Sequence, residues 1–222
     1  MKLFKIVGLI IVIFLIISVP IRIYFRDSYL GYIPWSKTKK LQWSNFRGKK
    51  PKNFTSSART GCAYTYIEKL IGDSLEIAMG NYFMSMRSYV KNGKQSDHIL
   101  NHEQGHFDIT EIYVRRMRAY IRTWNGYNKD DYNAFLLAGQ NNIFSDSLAF
   151  RYERETAHGS NAGGQNIWNM KIDSELTKYG AFSQTTFRIY WPSSARDFYD
   201  NSYESYKEQH HPKVTIVDTG EY

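Results

Sequence analysis

His102 and His106 stand four residues apart, so a helix would carry both imidazoles on one face, one turn above the other. With Glu103 beside the first of them, the stretch His102-Glu103-Gln104-Gly105-His106 reads His-Glu-x-x-His. Two neutral imidazoles at that spacing suit zinc, which takes a further protein ligand and leaves a position for water. A carboxylate next to the first ligand can reach such a water, which makes Glu103 the candidate general base. The chemistry expected is cleavage of peptide bonds in a peptide or protein substrate through a zinc-activated water, with one Zn2+ per chain. The alternative is an exported metal-binding or assembly module without turnover. A purely structural site does not need the Glu103 carboxylate, and its presence favours the enzyme.

A helix must hold these residues, and the flanking sequence supplies one. Ser96 or Asp97 can cap a helix that begins near His98 and runs to about Thr123, where Asn125-Gly126 ends it. One face then reads His102, His106, Ile109, Tyr113, Met117 and Tyr120. Glu111 points away from that face, and both it and His98 read as surface positions. Asn128 or Asp130 can cap a second long helix, with Tyr132, Phe135, Leu136, Gly139, Ile143, Asp146 and Phe150 at helical spacing as far as about Glu155. If the two helices form an antiparallel pair turning near Tyr127, the counterpart of His102–His106 lies near Phe150 and just beyond. The candidates there for a third metal ligand are Asp146, Tyr152, Glu153, Glu155 and His158. His158, in a loop past the helix end, ranks first, Glu155 second and Asp146 third. Tyr152 and Tyr179 are candidate hydrogen-bond donors to a transition-state oxyanion, although core packing with a polar handle is the default for tyrosine.

Upstream, an extended entry segment over 27–59 is anchored by Trp43, Phe46 and Phe54. Cys62, Tyr64 and Tyr66 alternate as in a strand, Leu75, Ile77 and Met79 do the same, and Gly72-Asp73 supplies a turn between them. A third helix is expected over 165–179 and a short strand at Val214–Val217. Strands followed by helices define an α+β fold, with a small, mostly antiparallel sheet and the metal motif on the first long helix. Cys62 is the single cysteine, which excludes an intrachain disulfide framework and a Cys-rich zinc module. It reads as a small buried hydrophobe.

Residues 1–26 contain four basic residues and no acidic one, around the apolar run Ile6–Ile21. Extended through Phe25, the run reaches the roughly 20 residues a bilayer core requires. An uncleaved signal anchor follows, a membrane contact that leaves the rest facing the periplasm or exterior; secretion after signal cleavage is the alternative. Residues 27–222 read as a single domain, with a core over about 41–180 and a polar, Tyr-rich C-terminal tail. The net charge is +8, but without the first 26 residues it falls to 25 basic against 21 acidic residues. That leaves no concentrated basic stripe, so nucleic acid is not an expected partner.

The run Leu100-Asn101-His102-Glu103-Gln104-Gly105-His106-Phe107-Asp108-Ile109 resembles the core motif of a family of exported bacterial proteins described as zinc-dependent proteases within a domain of unknown function. Two further stretches share the resemblance: Leu41–Gly48, and Tyr152–Gly159 followed by Gln165 and Trp168. It covers about residues 41–180, and it implies a zincin-like fold, zinc and peptidase activity with no assigned substrate. The Thr156-x-His158-Gly159 match adds weight to His158 as a ligand, whereas Glu153 stands where the family pattern calls for Asp. In zincins the substrate extends along an edge strand beside the site. By that analogy the Leu75–Met86 region would present backbone groups to a peptide.

Overall fold

The structure, a computed structural model, describes residues 31–126, 128–191 and 213–217. The expected anchor at 1–26 lies outside these, as does most of the C-terminal tail. No helix among the described residues is long and apolar enough to cross a membrane.

The strands are β1 (Tyr32–Pro34), β2 (Ala58–Arg59), β3 (Cys62–Ile71), β4 (Ser74–Met84), β5 (Tyr89–Val90), β6 (Thr186–Tyr190) and β7 (Lys213–Val217). Their helical counterparts are α1 (Asp97–Ile121), α2 (Lys129–Phe144), α3 (Leu148–Glu155) and α4 (Ala162–Lys178). β3 and β4 form a long hairpin, paired from Cys62↔Phe83 to Ile71↔Ser74, and its turn uses Gly72 at φ 58°, a left-handed conformation that favours glycine. β7 adds to the outer side of β3, while β1 and β6 both pair with β4, every pairing antiparallel. β2 and β5 make a separate two-stranded sheet. The architecture is α+β, as the order of strand and helix signals predicts, except that β6 and β7 return to the sheet after the helices.

α1 is the spine. Ser96 caps it, accepting the Ile99 N–H at 3.2 Å. Val114, Met117 and Ile121 pack with Leu75, Ile77 and Met79 of β4. Ile109, Ile112 and Tyr113 pack with Leu148 and Tyr152 of α3 and with Trp168 and Ile172 of α4. Phe107 joins Leu41, Phe46, Cys62 and Phe83 in a third cluster. With apolar neighbours on every side, nearly the whole middle of α1 is buried, and this overturns the surface reading of Glu111. That carboxylate is buried and holds Arg115 at 2.9 Å and Arg118 at 3.1 Å. Arg118, itself fully buried, donates onward to the carbonyls of Met79 at 3.0 Å and Phe182 at 2.9 Å. Cys62 is buried as expected, and burial pushes its thiol up to about 12.

The second long helix is not continuous to Glu155. It stops at Phe144 and restarts at Leu148, so Ser145-Asp146-Ser147 is a break. Asn141, Asn142 and Ser145 compete for backbone hydrogen bonds and weaken the last turn before it. The break turns α3 onto α1 in a register that a straight helix would not give.

Candidate metal centre

His102 and His106 lie on successive turns of α1 with Nε2 atoms 3.2 Å apart, and both rings are buried. From α3, Glu153 reaches them: Oε1 is 3.0 Å from His106 Nε2 and Oε2 is 3.4 Å from His102 Nε2. Among the described residues these three are the group of His, Cys, Asp or Glu side chains whose ligand atoms converge, all within 4.8 Å of one another. Four ligands around zinc at about 2.0–2.1 Å stand about 3.3 Å from each other, the edge of the tetrahedron. The 3.2 Å between the imidazole nitrogens and the approach of each to its nearer Glu153 oxygen are close to that edge, the two imidazoles facing different oxygens of the one carboxylate. Glu153 Oε2 is buried and closely approached, yet receives no well-formed hydrogen bond. The donor types and their convergence fit a divalent metal ion, zinc among them.

The residues behind the imidazoles fix their orientation. Gln165 Nε2 donates to Asn169 Oδ1 at 2.9 Å and to Tyr152 Oη at 2.8 Å, which assigns Gln165 Oε1 as the acceptor facing His102 Nδ1 at 3.1 Å. Thr156 donates its hydroxyl hydrogen to the Tyr152 carbonyl at 2.6 Å, so its oxygen also faces His102 Nδ1 as an acceptor, at 3.4 Å. His102 therefore carries its proton on Nδ1 and turns the bare Nε2 toward His106 and Glu153.

Tyr152 is fully buried, its ring stacked on His102, and its hydroxyl donates to the His102 carbonyl at 2.8 Å. It therefore supports the site from behind, and the reading of Tyr152 as an oxyanion donor is corrected. Tyr179 ends α4 and packs on Phe182, away from the cluster. The ranking of third ligands changes too. Asp146 is taken by Arg116 at 2.6 Å, and Glu155 accepts from Trp168 Nε1 at 2.9 Å. His158, ranked first, is two-thirds exposed; its Nδ1 lies 3.0 Å from Glu153 Oε2 but does not join the converging group. Glu153, on the candidate list but passed over, is the carboxylate in place. His98 is half-buried on α1 and also outside the group.

Glu103 is buried beside the histidines. Thr60 donates its backbone N–H to the carboxylate, and Oε2 has no hydrogen-bond partner. Burial pushes the carboxyl up to about 7 against the opposing pull of His102 and Thr60. His102, Glu103, His106, Glu153 and His158 all open on one cleft, whose opposite wall is the segment Phe54–Thr60. In that wall the Ser57 carbonyl accepts from Lys91 N–H at 2.8 Å, and Arg59 pairs with Tyr89. Alternation along an antiparallel ladder then turns the backbone groups of Ala58 and Thr60 away from β5 and toward the cleft, as the Thr60–Glu103 contact requires. The strand expected in this place, Leu75–Met86, is instead interior: β4 is paired to β3 along one side and to β1 and β6 along the other. Nothing in the local sequence Ser56-Ser57-Ala58-Arg59-Thr60 signals this role.

No protein-family model matches the chain, and neither the curated proteins nor the solved structures provide a match.

Proposed function

We propose that the chain is a zinc-dependent hydrolase, a metallopeptidase in which His102, His106 and Glu153 hold the metal and Glu103 is the general base. The observation that carries this is the convergence of two imidazoles and one carboxylate, their ligand atoms within 4.8 Å of one another, with the unpartnered Glu103 Oε2 buried beside the same cleft. Zinc, when bound, supplies a Lewis acid that polarises a carbonyl and lowers the pKa of water. The chain's own residues do the rest. Glu103 accepts the proton of the attacking water at Oε2 and returns it to the departing nitrogen. Gln165 and Thr156 keep the His102 proton on Nδ1, so Nε2 stays a ligand. The Ala58 backbone, turned into the cleft, pairs with an extended peptide and lays it past the histidines.

The resemblance over residues 41–180 supports a zincin-like fold for the α+β scaffold. The apolar segment within residues 1–26 supports an exported chain held at the cytoplasmic membrane, facing the periplasm or exterior. Glu103→Gln tests the assignment. Hydrolysis of a mixed peptide substrate should fall by about 10²–10⁴-fold, the scale of a lost general base, with zinc content unchanged. A variant as active as the parent would refute the role of Glu103. Bound zinc with no hydrolysis in the parent would instead identify a metal-binding module without turnover.

A further inference from the structure

His158 lies 3.0 Å from the carboxylate proposed as the third ligand, but outside the group that converges on the metal position. The backbone that delivers it is unusual. Ala157 (φ 48°), His158 (φ 52°) and Gly159 (φ 77°) form a left-handed run, and the first two carry side chains where glycine is the ordinary occupant. The run is tied at both ends. His158 N–H donates to the Glu153 carbonyl at 3.0 Å, Ser160 N–H to Ala157 at 3.1 Å and Asn161 N–H to Thr156 at 2.9 Å. A Cβ on Gly159 would lie 2.8 Å from His102 Cγ, so the turn passes directly against the ring of the first ligand. The strained turn thus leaves Glu153, crosses His102 and brings an imidazole back to Glu153 from the cleft side. Strained backbone held this firmly beside a site marks a positioned group.

We propose that His158 is a positioning residue for Glu153, steadying its carboxylate through the 3.0 Å approach of Nδ1 to Oε2, and is not itself a metal ligand; this rests on the zinc reading above. A ligating carboxylate otherwise turns about its side-chain torsions, and loss of such an outer partner weakens metal by about 10–100-fold. Asn is the conservative replacement: it tolerates the left-handed backbone and offers an amide N–H where Nδ1 stood.

Zinc dissociation constants of the folded full-length parent, His158→Ala, His158→Asn and His102→Ala test this, with Co2+ absorption spectra as a second readout of ligand geometry. The expected result is a 10–100-fold loss in His158→Ala, recovery to within about threefold in His158→Asn, and the largest loss in His102→Ala. The Co2+ spectrum should shift in His158→Ala and match the parent in His158→Asn. Parental affinity in His158→Ala would overturn the proposal. So would a loss in His158→Ala equal to that in His102→Ala, the mark of a direct ligand, or failure of His158→Asn to recover. A parent no better at binding zinc than His102→Ala would overturn the zinc reading itself, and the control separates that outcome from the others.

Discussion

A methyl group on residue 105 would sit 2.1 Å from the Tyr152 hydroxyl and 2.6 Å from its ring. Gly105 is one of the two undefined positions of the His-Glu-x-x-His pattern, yet the close approach of α3 to α1 depends on it. Gly to Ala in a helix interior ordinarily stabilises by about 1 kcal/mol. Here the added carbon drives Tyr152 off the His102 carbonyl, so Gly105→Ala should destabilise by about 1–3 kcal/mol in urea unfolding. A stability gain would contradict the described packing. The histidines themselves were legible because i and i+4 share a face whatever surrounds the helix. Glu153 was not. Four neighbouring candidates have suitable side chains, and only the packed structure shows that Arg116 occupies Asp146, Trp168 occupies Glu155 and Glu153 faces inward.

At the scale of elements, α1 owes its burial to satisfied charge as much as to apolar contact. Glu111 is the carboxylate partner of the fully buried Arg118. Removing it as Glu111→Ala leaves that guanidinium in the core without its counter-charge, which should cost about 3–5 kcal/mol. Glu111→Gln, which keeps an acceptor, should cost less. Equal and small shifts in the denaturant midpoint for both variants would refute this account of the cluster. The pattern of α1 could not announce this, because the need for a carboxylate at 111 comes from a residue two turns on and from carbonyls of β4 and Phe182. Local signals did find the Ser96 cap, the Gly72 turn and the alternation of β3 and β4. They missed the break at Ser145–Ser147, where polar residues interrupt a sustained helical period. They also placed β4 at an edge, because the strands that cover it, β1 and β6, come from opposite ends of the described chain.

Over the described residues, three apolar clusters surround one helix, and the candidate metal centre sits where that helix meets α3. Folding brings the three proposed ligands together from positions 102, 106 and 153, so on the proposed reading zinc should bind the folded state far better than the unfolded chain. Free zinc at a hundredfold excess over its dissociation constant should therefore stabilise the protein by about 2.7 kcal/mol. For a chain of this size the melting midpoint should rise by about 5–10 °C, and a chelator should reverse the shift. The central claim is met most directly by metal analysis of the purified protein beside its His106→Ala variant. The account predicts about one zinc per parent chain and almost none in the variant; equal metal content in the two, or none in the parent at saturating zinc, would contradict it.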